Sequence, residues 1–347
     1  MSLSALLGIE LPLIQAPMAG VQDHRLAAAV SNSGALGSLP CAMLDAAGLR
    51  RELTALTEKT CKPFNLNFFC HTPPAPQTQQ EAAWREALGP YYAELGIDPA
   101  SIATGPGRQP FSAELADLLD EFRPAVVSFH FGLPEAALLA RVKACGAKVL
   151  SSATTVEEAL WLEAHGADAI IAQGLEAGGH RGHFLDMDLS RQLGTFALLP
   201  QLVQAVSVPV IAAGGIADAA GVRAAMALGA AGVQIGTAYL CCDEASTSAV
   251  HRAALHSPAA QHTALTNLFS GRPARGIVNR LMRELGPITP LAPAFPLATS
   301  AIAPLRSAAE SQGSGDFSPL WAGQNASGCK AIGASELTRE LAQGFSH

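Results

Sequence analysis

A histidine that follows two glycines at the end of an apolar run is well placed to act as a general base or hydrogen-bond donor, because side-chain-free backbone lets a bound molecule come close. The segment Gln173-Gly174-Leu175-Glu176-Ala177-Gly178-Gly179-His180-Arg181-Gly182-His183 has this form. His180 is the leading candidate, and His183, three residues on, is assigned to structure. A second imidazole lies in Ser128-Phe129-His130-Phe131-Gly132. Strand alternation turns Phe129 and Phe131 to one side and Ser128, His130 and Gly132 to the other. In Phe64-Asn65-Leu66-Asn67 the same alternation sets two amides on one side, where an Asn, like Gln173, can read the hydrogen-bonding edge of a heterocycle. Apart from Glu176 and Asp186, no acidic residue is spaced to complete a two-histidine metal site, so no metal is expected. His24, His71, His165, His251, His256, His262 and His347 fall in helical or terminal contexts and are assigned to surface or packing roles.

Glycine turns form the other half of the chemistry. Ala16-Pro17-Met18-Ala19-Gly20 is a tight turn able to bring backbone amides close to a flat ligand. Ala212 to Ile216 (AAGGI) and Gly236-Thr237 are turns without bulky side chains that open onto further segments, the arrangement that binds a phosphate.

These residues need a frame. Short apolar runs recur at Leu11 to Gln15, Ala35 to Leu39, Phe64 to Phe69, Ala125 to Phe131, Lys148 to Ser152, Ala167 to Gln173, Val208 to Ala213 and Gly232 to Gly236. They are nearly continuous in hydrophobicity, as strands of a parallel sheet covered on both faces are. Stretches such as PEAALLARVKACG, TVEEALWLEAHG and DAAGVRAAMALG lie between them and end at a glycine suited to a left-handed cap. Eight strand–helix units in this length predict an α/β fold of the (β/α)8 TIM-barrel type, whose sites lie at the C-terminal strand ends and whose phosphate turns follow strands seven and eight. An open doubly wound sheet is the runner-up, weakened because PMAGV and not GxGxxG follows the first strand.

Two stretches fall outside the repeat. Residues 71–111, rich in Pro and Gln, read as a helical excursion with loops. Residues 239–310 carry helical patches at Glu244 to Leu255 and Ile277 to Leu285 and then the Pro-rich PITPLAPAFP. The domain expectation is a barrel over 1–238, a smaller and mostly helical domain over 239–310, and a segment over 311–347 that returns to the barrel. Its QGSGDFSPLWAGQNASG is either an ordered or a flexible loop, and SELTRELAQGFSH supplies a last helix.

Composition narrows the class. The chain has 347 residues, 49% hydrophobic and only 15% charged, so a large core rather than disorder is expected. With 22 basic against 29 acidic residues the net charge is −7, and no basic stripe exists, which argues against a nucleic-acid partner. No uninterrupted apolar stretch of about 18 residues and no basic leader occur, so no membrane partner and a cytoplasmic location are expected. The seven cysteines form no CxxC pair and read as reduced thiols.

LIQAPMAG, SFHFG, AQGLEAGGHRG, AAGGI, GVQIGTAYL and FSGRPARGIVNR occur in the order seen in nitronate monooxygenases. The resemblance runs from about residue 8 to about residue 324 and is similar to the class I branch. It implies an FMN-dependent barrel that oxidises alkyl nitronates, such as propionate 3-nitronate, with O2 to a carbonyl compound and nitrite, acting as a monomer or homodimer. By the same resemblance Ala16, Pro17 and Met18 pack along the flavin, Asn67 and Gln173 hydrogen-bond to it, and Gly178 and Gly179 approach it by backbone. Ala213, Gly214, Gly215, Gly236 and Thr237 hold the phosphate, His180 is the catalytic histidine, and His130 is a second pocket residue. One departure stands out, since relatives place tyrosines and a lysine from the second lobe over the substrate. This chain has only Tyr91, Tyr92 and Tyr239, and no lysine between Lys148 and Lys330. Phe295, Thr299 and Ser300 occupy the corresponding stretch, and Arg272 and Arg275 can tie the lobe to the barrel or meet an anion. The alternatives are an FMN-dependent NAD(P)H:quinone reductase or enoyl-ACP reductase of the same superfamily, a cofactor-free lyase or isomerase barrel, and a non-enzymatic flavin-binding module.

Overall fold

The computed structural model describes residues 2–102 and 107–345; residues 103–106 of the expected excursion, Met1, and Ser346 and His347 at the end of the expected last helix lie outside them. Eight parallel strands make the central sheet: β1 (Leu13–Gln15), β2 (Gly37–Pro40), β3 (Phe64–Phe69), β4 (Val126–His130), β5 (Lys148–Ala153), β6 (Ala169–Gln173), β8 (Val210–Ala213) and β9 (Gly232–Ile235). Their spatial order is β1-β9-β8-β6-β5-β4-β3-β2. A parallel bridge between Ile14 and Leu36 closes the two edges into a barrel. Each of the eight expected runs is therefore a barrel strand.

Alternation sorts the strand residues. Along β6, Ile170 and Ala172 join the layer between strands and outer helices, while Ala169 and Ile171 join Leu150, Ile211 and Val126 in the interior. Leu3 and Leu7, from a short N-terminal helix, belong to that interior group. All are nearly or fully buried, which is why the runs read as continuous hydrophobicity. The outer helices start at side-chain caps: Asp23, Asp45, Ser112, Thr155 and Asp218 each accept a first-turn amide. The C-terminal helix Ala334–Ala342 packs against the helices His24–Asn32 and Ala219–Ala227, and so fills the eighth position of the ring. Tyr239 reaches Thr338 at 2.9 Å across that seam.

Outside the barrel, the helix Thr78–Glu94 of the excursion shares a core with the later lobe. Trp84, Leu88 and Tyr92 pack with Leu268, Met282, Ile302 and Leu305, and the Tyr92 hydroxyl donates to the Ala301 carbonyl at 2.7 Å. The lobe contributes the helices Ala249–Leu255, Arg280–Leu285 and Thr299–Ser311. It also holds a small antiparallel sheet unforeseen in the sequence, β10 (Thr263–Thr266), β11 (Ala274–Ile277) and β7 (Gly179–His180), in the order β10-β11-β7. Ile277, read as the start of a helical patch, ends β11. No helix among the described residues is long and apolar enough to cross a membrane.

Candidate active site

A cleft enclosing about 1320 Å³, including the part open to solvent, lies at the C-terminal ends of the barrel strands. The sequence candidates converge there. Ala16, Pro17 and Met18 leave β1, Asn67 sits on β3 and Gln173 ends β6; Gly178 and Gly179 lead to His180, and His130 ends β4. Ala213, Gly214 and Gly215 leave β8, and Gly236 and Thr237 leave β9.

The glycine turns form one end. Gly214 and Gly215 have φ of +116° and +73°, a region that side-chain-bearing residues avoid. A Cβ on Gly178 would stand 2.6 Å from the Ala322 carbonyl carbon, so only glycine lets the chain from Ala322 to Gly323 close this wall. The short helix Thr237–Cys241 starts at Gly236 without a side-chain cap. Across the floor, Gln22 Oε1 accepts the Met18 amide at 2.8 Å and fixes the β1 turn. Asn65 and Asn67 both donate to Ser128 Oγ at 2.9 Å, but only Asn67 reaches the cleft.

The other end is aromatic and histidine-lined. His180 Nε2 lies 2.8 Å from Ser270 Oγ, and its ring is within 5.4 Å of Phe295 and 5.7 Å of Trp321, measured between centroids. Burial, aided by the nearby Arg108, His130 and Arg272, holds its pKa well below the usual histidine value, so the ring is neutral at pH 7. His130 Nδ1 meets Ser152 Oγ at 3.2 Å, and burial brings its pKa down to about 4. Gln173 braces the same loop from both ends of its amide: Nε2 donates to the His180 carbonyl at 3.0 Å and Oε1 accepts the Gly182 amide at 2.7 Å. Arg181 is fully buried and donates to the carbonyls of Gln173 and Gly174 at 2.8 and 2.7 Å, stitching the loop to the end of β6.

Several other residues take different places. Glu176 accepts the Thr195 amide and hydroxyl at 2.8 Å, capping the helix Thr195–Ala205, while Asp186 pairs with Arg191 at 2.6 Å. Among the described residues no group of three His, Cys, Asp or Glu could hold a metal. Thr299 and Ser300 donate to the Phe269 and Leu297 carbonyls, whereas Phe295 stands beside His180. Arg275 ties the lobe to the Leu175 carbonyl at 2.9 Å, and Arg272 donates to the His183 carbonyl with its guanidinium 4.0 Å from the Phe131 ring centroid. His183, assigned to structure, is buried, and neither ring nitrogen has a hydrogen-bond partner among the described residues.

Sequence reasoning missed Arg108, Gln234, His251, Trp321, Gly323 and Asn325, all of which line the cleft. His251 is a correction: its helical context pointed to surface or packing, yet it lines the cleft with Nε2 3.1 Å from the Trp321 carbonyl. Trp321, in a loop rich in Gly and Ser, was the one available signal for the 321–325 wall.

A closed parallel barrel with a cleft at its strand ends, glycine turns after its last two strands and a buried histidine opposite them defines a (β/α)8-barrel enzyme. The family model for nitronate monooxygenase matches residues 1–344. A nitronate monooxygenase from Pseudomonas aeruginosa is 45% identical over 346 residues, covering 97% of each chain. Among solved structures, a nitroalkane oxidase from Streptomyces ansochromogenes superposes with a TM-score of 0.90 at 38% identity, covering 99% of each chain. FabK from Thermotoga maritima superposes less closely, with a TM-score of 0.72 at 26% identity over 99% of this chain and 96% of that one. The chain belongs to the nitronate monooxygenase family, a family of oxidoreductases.

Proposed function

We propose that the chain oxidises alkyl nitronates, propionate 3-nitronate among them, with O2 to a carbonyl compound and nitrite, and that the cleft holds FMN. The flavin, when bound, supplies electron transfer between nitronate and dioxygen. The observation that carries the reading is the division of one cleft into a side-chain-free end and a histidine end. The residues fit the cofactor. Gly214, Gly215, Gly236 and Thr237 offer close backbone to a phosphate, and Ala16, Pro17 and Met18 offer an apolar floor. Gln234 Oε1, on the lining, is buried without a hydrogen-bond partner among the described residues, an acceptor that a heterocyclic N–H would satisfy.

A nitronate is already an anion, so the protein must hold it rather than generate it. Ser270 Oγ can either donate to His180 Nε2 or accept from it, since a hydroxyl does both and the Arg272 carbonyl lies 3.3 Å away as its other acceptor. His180 can therefore offer Nδ1–H to a nitronate oxygen, or a basic Nδ1 to the α-proton of a neutral nitroalkane. His130, with both ring nitrogens engaged, positions the loop that carries His180. The reading extends to a cytoplasmic enzyme, monomeric or homodimeric, acting on small molecules.

The test is an absorbance spectrum of the purified protein, then oxygen uptake and nitrite release on adding a nitronate. A yellow protein that consumes O2 without NAD(P)H supports the reading. A yellow protein inert to nitronates but bleached by NADH would favour the reductase alternative, and a colourless protein unable to take up FMN would overturn the flavin assignment.

A further inference from the structure

Arg108 is the one side chain of fixed charge lining the cleft among the described residues; no Asp, Glu or Lys joins it. The other cations nearby are engaged with the protein. Arg181 and Arg275 donate to backbone carbonyls, and Arg272 does so while covering the Phe131 ring. The Arg108 guanidinium has no ion-pair partner among the described residues and reaches the Met43 sulfur at 4.0 Å, while the residue's carbonyl accepts from His71 at 3.1 Å. Burial lowers its pKa only to about 10, so it is a cation at neutral pH.

Its position is specific. The guanidinium carbon is 5.8 Å from the Phe295 ring centroid, and that ring is 5.4 Å from His180. The cation thus stands one aromatic ring away from the histidine, at the end of the cleft where the glycine turns are not. A largely buried guanidinium with no carboxylate partner among the described residues is open to an anion from solution, and its planar fork matches a carboxylate.

We propose that Arg108 binds the carboxylate of a nitronate that carries this second anionic group at the far end of a short carbon chain, and so sets the preference for carboxylated over plain alkyl nitronates. The proposal rests on the nitronate reading above. The nitronate group itself falls to His180, whose Nε2 is held by Ser270, and Phe295 neighbours both His180 and Arg108. In this chain the excursion after β3 supplies the cation, beside Phe295 of a lobe that has no lysine to offer. Because the carboxylate takes no part in the oxidation, its binding is felt equally before and during the reaction, and its loss appears in KM rather than kcat.

The experiment compares the flavin-loaded wild type with Arg108→Met and Arg108→Lys, using propionate 3-nitronate and the nitronate of 1-nitropropane. For Arg108→Met the expected result is a rise in KM on the order of a hundredfold for the carboxylated substrate and a change of less than about threefold for the plain one, with part of the loss recovered in Arg108→Lys. Equal losses on both substrates, or no loss on either, would overturn the proposal. Calorimetric titration with unreacted 3-nitropropionate and 1-nitropropane gives a readout independent of turnover, with discrimination between the two expected to vanish in Arg108→Met. If the wild type turns over no nitronate, the functional reading falls, while the titration still decides whether Arg108 reads a carboxylate.

Discussion

The Nε2 atom of His130 lies 3.1 Å from the backbone carbonyl oxygen of His180. A carbonyl only accepts, so His130 carries its proton on Nε2 and takes the Ser152 hydroxyl at Nδ1. One histidine thereby fixes the backbone of the other. Replacing His130 by Leu leaves Gln173 as that carbonyl's remaining donor and is expected to lower kcat about tenfold. His130→Gln, which can still donate, recovers most of it. Steady-state oxygen uptake checks this, and equal losses in both variants would show that the donor is not what matters.

Ser270 engages Nε2 of His180 and leaves Nδ1 for the substrate. Ser270→Ala removes the partner at 2.8 Å and is expected to slow turnover of a neutral nitroalkane, which needs a base, by about tenfold or more. Turnover of the preformed nitronate falls less. An equal effect on the two would place Ser270 in packing alone.

Acid stability follows from the buried imidazoles. Burial lowers His71, His130 and His251 to about 4 and His183 to about 3. Between the ordinary histidine value near 6.5 and those depressed values, the unfolded chain binds protons that the folded chain does not. Stability is therefore complete above the unfolded value and is lost as pH falls, by up to about 1.4 kcal/mol per pH unit for each such histidine. Urea midpoints from about pH 7 to about pH 5 should fall steeply, with a shallower slope in His251→Gln. A flat profile would contradict the burial of these rings.

The turn proposed to hold the phosphate is built on a left-handed glycine. Gly215 has φ +73°, where a β-branched residue is strained by about 1–2 kcal/mol. Gly215→Val is expected to keep its circular dichroism yet purify with several-fold less flavin, read from the ratio of visible to 280 nm absorbance. Full flavin retention would move the phosphate elsewhere.

The barrel was legible because each strand is buried on both faces, so a run such as Ala169–Gln173 shows up as hydrophobicity without periodic interruption. The glycine turns and His180 were legible because they follow those runs directly. The small sheet was not, since β7 has two residues and β11, Ala-Arg-Gly-Ile, owes its extended form to a partner and not to its own propensity. Arg108 gave no sign either. It lies in a Pro- and Gln-rich excursion without periodicity, and only the fold brings it to the cleft.

His180 belongs to two sheets' worth of structure at once: it follows the barrel strand β6, and it pairs with Ala274 of β11 in the lobe. The lobe is therefore not an exchangeable cassette. Grafting it from a relative would reset the register between Ala274 and His180, and with it the reach of the imidazole. Turnover in this fold should be inherited with the pair β7 and β11 together, so hybrids whose crossover falls between residues 180 and 274 are the ones expected to fold and yet lose it.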